Sequence, residues 1–291
     1  MDQVTLLWTL GSTVLAGLTL FIQKVVAEEG RSSAFNGFLM YGASGAFALV
    51  LLLVQHDMPA QWPLVVFFGL MGGAVHGLGN FIRIESLKYI DSVLFFPLNK
   101  ILGPLLVVIG GVALFADPLT MMQYIGIGLS LTVPLLLVSS VEHQRQKNLP
   151  LGLKLLLVST ILTACSLLLI KQGLLYGSAV LLMLCASQLA GTIASAGILL
   201  KQHGAGFSMI AHADRRDVSL GLLSAFFGLF SAYALFEALS TGLVSLVYVI
   251  QAHYILIPII LSVWWYHDHI NLRKFAAVMV SFLAITLLYT G

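Results

Sequence analysis

Long apolar stretches separated by short polar connections run through the whole sequence. A helix needs roughly 20 apolar residues to cross a hydrocarbon core of about 30 Å. Stretches of this size predict ten transmembrane helices, at Val4–Ala27, Ser33–Val54, Trp62–Ile84, Ser92–Leu114, Leu119–Ser140, Gly152–Leu175, Ser178–Leu200, Val218–Ala238, Leu243–Tyr266 and Leu272–Tyr289. The pattern therefore predicts an all-α integral membrane protein.

The composition indicates that lipid, rather than water, surrounds most of the chain. Of the 291 residues, 59% are hydrophobic and 9% are charged, whereas a soluble domain carries roughly 25% charged residues. The net charge of +2 provides no basic field for nucleic acid. The sequence contains no GxxxxGK(S/T) phosphate loop, so ATP hydrolysis is not expected. We predict neither a cofactor nor a metal site.

Lys and Arg residues occur on alternate connections between the predicted helices. The connections 2–3, 4–5, 6–7 and 8–9 carry none, whereas the other five carry Arg31, Arg83, Lys88, Arg145, Lys147, Lys154, Lys201, Arg215, Arg216, Arg273 and Lys274. Basic connections remain in the cytoplasm during insertion. Both termini are therefore predicted to lie outside the cytoplasm, and we expect the inner (plasma) membrane of a bacterium.

The two halves of the sequence resemble each other. IESLKYIDSVLFFPLNKILGP in the first half resembles FEALSTGLVSLVYVIQAHYILIP in the second. Glu85 stands opposite Glu237 at one end of this match and Pro104 opposite Pro258 at the other, with a difference of two residues in the spacing. LFIQK also resembles LLLIK, and FADPLTMMQ resembles YHDHINLRK. Three matches in the same order indicate a duplication.

The duplication predicts the domain organisation. Residues 1–140 form a first five-helix repeat, residues 141–151 a cytoplasmic linker, and residues 152–291 a second five-helix repeat. Because five is an odd number, the second repeat starts on the opposite side of the membrane. The two repeats are therefore predicted to be inverted relative to each other.

Two segments carry a resemblance to a known family. They are ESLKYIDSVLFFPLNKILGPLLVVIGGVALFADPLTMMQYIGIGL and EALSTGLVSLVYVIQAHYILIPIILSVWWYHDHINLRKFAAVMV. Their proline-containing helix, acidic loop and last helix resemble the drug/metabolite transporter superfamily and its ten-helix EamA-like branch. Asp117 and Asp268 stand where that family more often has Glu, and Ala276 and Ala277 replace glycines. The resemblance implies alternating access around a central cavity between the repeats.

Lys100 is the main candidate for a solute-binding residue, because a charge at bilayer depth costs a few kcal/mol. It lies about eight residues into predicted helix 4, on one helical stripe with Phe96, Asn99 and Gly103. Its ammonium could attract a carboxylate or a phosphate of the solute. The alternative is a structural ion pair with another helix.

His253 and Tyr254 occupy the matching stripe of predicted helix 9 when the halves are aligned on Pro258. Alignment on Glu237 instead makes Gln251 the residue that faces the cavity. An imidazole titrates near pH 6.5, which suits proton-coupled transport. The alternative role for His253 is donation to a backbone carbonyl inside a packed bundle.

Predicted helix 3 carries Gly69, Gly73, His76, Asn80 and Arg83 on one stripe. The glycines predict close packing against another helix. His76 and Asn80 could reach the cavity past these glycines. Arg83 is expected at the cytoplasmic end, in an interfacial ion pair.

Lys24 and Lys171 hold equivalent positions in predicted helices 1 and 6. Both side chains could extend to lipid headgroups. Alternatively, they form a pair of gate residues at the two mouths of the transport path.

The leading hypothesis is a secondary transporter of a small polar metabolite, with an amino acid or an organic anion favoured and proton coupling as an option. A lipid-headgroup translocator and a non-transporting membrane subunit are the alternatives. An intramembrane enzyme is disfavoured, because the carboxylates lie at the predicted helix ends. The expected partners are the solute, membrane lipid and protons, and the protein is expected to be a monomer or a homodimer.

Overall fold

The computed structural model describes residues 1–55, 58–86, 89–90, 92–137, 148–203, 214–257, 260–261 and 272–291. These residues form ten α-helices: α1 (Gln3–Glu28), α2 (Ser33–Gln55), α3 (Trp62–Ser86), α4 (Ser92–Phe115), α5 (Met121–Leu137), α6 (Leu149–Leu175), α7 (Val180–His203), α8 (Arg215–Thr241), α9 (Val244–Gln251) and α10 (Leu272–Thr290). A 3-10 turn, Ala252–Ile255, continues α9. Most of the predicted linker, Pro258 and Asp268 lie outside the described residues.

The helices have the length and composition of membrane spans. Eight of them are long and apolar enough to cross a bilayer. The other two described spans, Met121–Leu137 and Val244–Ile255, are shorter and also apolar. Large apolar side chains such as Val54, which is 77% exposed, cover the outside, where lipid replaces water. The predicted all-α membrane fold is confirmed at this level.

Eight helices pack in a closed ring. In order around the ring, α1 packs on α8, α8 on α2, α2 on α7, α7 on α3, α3 on α6, α6 on α4, α4 on α9, and α9 on α1. α5 and α10 pack on each other and contact the ring at α4 and α9. The ring therefore encloses an interior that is shielded from lipid.

Two contacts show that α1 and α8 run in opposite directions. The Thr5 hydroxyl lies 2.7 Å from the Thr241 hydroxyl, where α1 starts and α8 ends. Arg31, just after α1, donates to Asp214, just before α8. We call the first of these ends of the bundle the terminal end and the second the basic end.

An ion-pair cluster ties the α1–α2 connection to the start of α8 at the basic end. Arg31 lies 2.6 Å from Glu29, 2.8 Å from Asp214 and 2.7 Å from Asp217, and Arg216 lies 2.8 Å from Glu29. Hydrogen bonds from Arg216 and Arg31 hold the pKa of Glu29 below its usual value. The Glu29 carboxylate is therefore ionised at neutral pH.

Glycines on α3 allow its two ring contacts to close. A Cβ at Gly69, Gly73 or Gly77 would lie within 3 Å of α7, and one at Gly72 or Gly79 within 3.3 Å of α6. Lipid is as apolar as a leucine side chain, so hydrophobic burial does not hold membrane helices together. Close approach through small residues supplies the packing instead, as the glycine stripe predicts.

We expect Gly73→Ala to lower the unfolding midpoint in detergent. The new Cβ would lie 2.2 Å from the Ser187 carbonyl oxygen, a backbone atom that moves only if α7 moves, so a loss of roughly 1–3 kcal/mol follows. The matched control is Gly128→Ala in α5, because a Cβ at Gly128 meets nothing within 4 Å. Equal midpoints for the two variants would contradict close α3–α7 packing.

Candidate functional site

The inner face of α3 lies between its two rows of glycines. Seen down the axis of one helix in a ring, the directions to its two neighbours enclose an angle smaller than 180°. Side chains within that angle face the interior. Spaced at 100° per residue, His76, Asn80 and Arg83 fall within that angle on α3. The His76 ring lies 6.4 Å from the ring of Tyr41 on α2, although α2 is not a neighbour of α3 in the ring. These side chains therefore meet across the interior.

Lys100 on α4 meets Tyr254 in the 3-10 turn after α9. The Lys100 ammonium donates a hydrogen bond to the Tyr254 hydroxyl and lies 3.7 Å from the centroid of its ring. Lys100 is 7% exposed. The aligned positions of the two predicted stripes are thus in direct contact.

Arg83 faces the same ring interior as Lys100. Its guanidinium donates to the Asn80 side-chain oxygen at 2.5 Å. Its guanidinium also lies within electrostatic range of the Lys100–Tyr254 pair and of three further side chains, Tyr41, His76 and Tyr248. The expected interfacial ion pair of Arg83 has no carboxylate partner among the described residues.

We call this group of side chains the central site: Tyr41, His76, Asn80, Arg83, Lys100, Tyr248 and Tyr254. It holds two cations, and no carboxylate of the described residues forms an ion pair with either one. Three tyrosines supply aromatic faces and hydroxyl groups around them. An arrangement of this kind can bind an anionic group that brings its own negative charge.

His253 lies next to Lys100, on the side that faces α5. Its Nδ1 donates to the carbonyl oxygens of Val249 and Ile250, at 3.0 and 3.1 Å. In the neutral ring Nδ1 carries the proton and Nε2 presents a lone pair, and this buried atom has no hydrogen-bond partner among the described residues. A cavity of about 10 Å³ separates His253 from Lys100 and Ser130, which is about the room that one water molecule needs.

Asn99 and Gln251 lie at contacts between neighbouring helices of the ring. The Asn99 amide donates to the Thr160 hydroxyl on α6 at 2.9 Å. The Gln251 amide donates to the Ser12 hydroxyl on α1 at 3.1 Å. These two predicted site residues therefore join helices of the ring, and of the helix 9 candidates it is Tyr254 that meets Lys100.

Lys171 and Asp117 hold the turn between α8 and α9. The buried Lys171 ammonium donates to the carbonyl oxygens of Leu239 and Gly242, at 2.7 and 3.0 Å. The Asp117 carboxylate accepts from the backbone N–H of Ser245 at 2.9 Å. A cation thus meets the end of α8 and an anion the start of α9, as helix dipoles favour. The side chain of Lys24 lies outside the described part of the chain.

Three members of the central site were not among the predicted site residues: Arg83, Tyr41 and Tyr248. Arg83 shares the stripe of His76 and Asn80, so its face was visible in the sequence. Because Arg83 lies near the end of the predicted helix, an interfacial ion pair was expected instead. Tyr41 and Tyr248 lie in apolar stretches, where no neighbouring residue marks them as site residues. Only the packing of the helices into a ring brings them to the site.

Comparison with known proteins finds a family match in the first half. Residues 3–139 match the sequence model of the EamA-like transporter family. The first half of the chain is therefore similar to this family. The family consists of membrane transporters of the drug/metabolite type rather than enzymes. The first five helices, which carry Lys100 and Arg83, are therefore EamA-like.

The fold likeness extends to the second half. A solved structure described as "Crystal structure of protein" superposes with a TM-score of 0.76, covering 98% of this chain and 95% of that chain. The two sequences are 14% identical, so this match concerns the fold alone. No curated protein matches the sequence significantly.

Replacing Lys171 by Met should lower the unfolding midpoint. The carbonyl oxygens of Leu239 and Gly242 lose their shared donor inside the bundle, and each unsatisfied buried group costs roughly 1–3 kcal/mol. Lys201→Met, at the exposed end of α7, removes the same charge as a control. A lower transport rate with an unchanged midpoint would instead favour a gate role for Lys171.

Proposed function

We propose that the protein is a secondary transporter for a small polar metabolite that carries an anionic group, an amino acid or an organic anion being favoured. The observation that carries this proposal is the pair of cations in the central site, Lys100 and Arg83, without a described carboxylate partner. Side chains of one sign of charge inside a membrane protein mark a solute or ion path.

Electrostatics favours an anionic solute at this position. Two like charges near each other in the ring interior repel, and removal from water weakens each of them further. The neutral partners, Tyr254 and Asn80, supply hydrogen bonds but no countercharge. A carboxylate or phosphate between the two cations relieves the repulsion, so binding energy is available to that class of solute.

The packing of the helices supports the inverted repeat. Exchanging each helix of the first half with its counterpart in the second converts α3–α6 into α8–α1, α3–α7 into α8–α2, and α4–α6 into α9–α1, and all six pairs are in contact. The helices α2 and α7, α4 and α9, and α5 and α10 contact their own counterparts. Contacts of the second kind are expected along a two-fold axis.

The 3-10 turn supports both alignments of the halves. Asn99 on α4 reaches α6 as Gln251 on α9 reaches α1, which follows the alignment on Glu85 and Glu237. Lys100 meets Tyr254, which follows the alignment on Pro104 and Pro258. The turn begins at Ala252, between these two correspondences, at the point where one alignment gives way to the other.

Alternating access follows from this arrangement as a proposal. The central site lies beside the α4–α9 contact, where the two repeats meet, so a small rotation of one repeat against the other changes which end of the site is open. The basic end is proposed to face the cytoplasm, since it carries the Arg31 cluster and the other basic connections.

Lys100→Ala is expected to lower solute binding and transport at least about tenfold, which corresponds to the loss of one charge-assisted hydrogen bond. Purified protein is screened by thermal shift against amino acids, organic acids, nucleotides, sugars and lipid headgroups. A solute at about 100 times its Kd stabilises the folded state by roughly 2.7 kcal/mol. Arg83→Gln should weaken binding of the same solute.

Lys154→Ala is the matched control for this screen, because Lys154 is an exposed lysine on α6 outside the central site. This variant should keep the thermal shift that the solute produces and the uptake rate of the wild type. If Lys100→Ala binds and transports the same solute as well as this control does, the anionic-solute proposal is wrong.

His253→Gln should flatten the pH dependence of uptake, because an imidazole can take up and release a proton and an amide cannot. The glutamine amide can still donate a hydrogen bond inside the bundle but cannot exchange a proton with Lys100 across the small cavity. His76→Gln removes the other interior imidazole and serves as the control. Proton-driven uptake that survives in His253→Gln would rule out this coupling role.

A further inference from the structure

One face of α8 carries an acidic residue towards lipid. Phe226 and Phe230 are 55% and 38% exposed, and their rings are in contact with centroids 4.9 Å apart. Tyr233 and Glu237 continue the same stripe at helical spacing. Glu237 lies one turn before the end of α8, so this stripe places a carboxylate at the level where lipid headgroups meet the hydrocarbon core.

A crevice of about 280 Å³ opens beside Glu237 at the terminal end. It is formed where the end of α8 meets the end of α2 and the start of α7, and its lining includes Leu52, Gln55, Ser178, Leu181, Tyr233 and Glu237. The lining therefore combines apolar side chains with a carboxylate, an amide and two hydroxyl groups. This combination suits a ligand with a polar head and an apolar tail.

Glu237 has no cationic partner in the described part of the chain. On the same stripe, Tyr233 packs edge-on against the Trp8 ring, with centroids 5.9 Å apart. Lys171 approaches the end of α8 from inside the bundle, where its ammonium is committed to two backbone carbonyls. No described basic residue lines the crevice.

We infer that this crevice binds the ammonium headgroup of a membrane phospholipid. The ammonium pairs with the Glu237 carboxylate beside the aromatic face of Tyr233, and the acyl chains lie along Phe226 and Phe230. The site is separate from the central site, which takes an anionic group inside the ring. Its existence therefore does not depend on the transported solute.

Native mass spectrometry of the detergent-purified protein tests this inference. The protein is titrated with phosphatidylethanolamine and with phosphatidylglycerol of the same acyl chains. The wild type should retain the ethanolamine lipid preferentially, and Glu237→Gln should retain it about tenfold less, because a charge-assisted hydrogen bond is lost. Ser178→Trp, which fills the crevice and keeps the carboxylate, should also lose it.

Asp2→Asn is the matched control. It removes one negative charge at the same end of the molecule, and an asparagine can still accept the hydrogen bond from the Thr5 backbone that Asp2 receives. Unfolding midpoints verify that each variant is folded. Equal retention of the two lipids by the wild type, or unchanged retention by Glu237→Gln, overturns the inference. Displacement of the lipid by free ethanolamine at millimolar concentration overturns the assignment to a lipid and indicates a soluble amine.

Discussion

Closure of the eight-helix ring is the constraint on which the rest of the structure depends. In lipid, helices gain little from burying apolar surface, so the ring closes only where their backbones approach within van der Waals contact. The glycines of α3 provide this on two sides, with Gly73 against Ser187 of α7 as the tightest contact. A closed ring therefore creates an interior that polar side chains can line, separate from the surrounding hydrocarbon.

That interior gives two basic side chains polar partners that lipid would not supply. A charge facing the centre of the bilayer costs several kcal/mol, whereas in the ring Lys100 meets a hydroxyl group and Arg83 an amide group. Buried polar groups also find partners at the α8–α9 turn. There Lys171 and Asp117 form hydrogen bonds with backbone groups, which lipid could not do. The contacts of Lys100 with Tyr254 and of Asp117 with Ser245 join the first half of the chain to the second.

The 3-10 turn after α9 brings neighbouring polar side chains to different partners. Gln251, just before the turn, donates to Ser12 of α1, whereas Tyr254 within the turn meets Lys100 of α4. His253 lies between them and bonds to backbone carbonyls of α9, and its Nε2 has no hydrogen-bond partner among the described residues. The segment therefore joins α1 to α4 and leaves one imidazole nitrogen beside the small cavity.

The sequence by itself determined the all-helical membrane fold, the positions of the ten helices and the EamA-like character of the first half, because apolar length and helical spacing are local properties. It also placed Lys100 opposite Tyr254 through the alignment on Pro258, and His76 with Asn80 on one stripe. Which helices become neighbours is a global property of ring closure, and only the tertiary structure decided it. For that reason Arg83, Tyr41 and Tyr248 joined the site, while Asn99 and Gln251 came to lie at the contacts between helices.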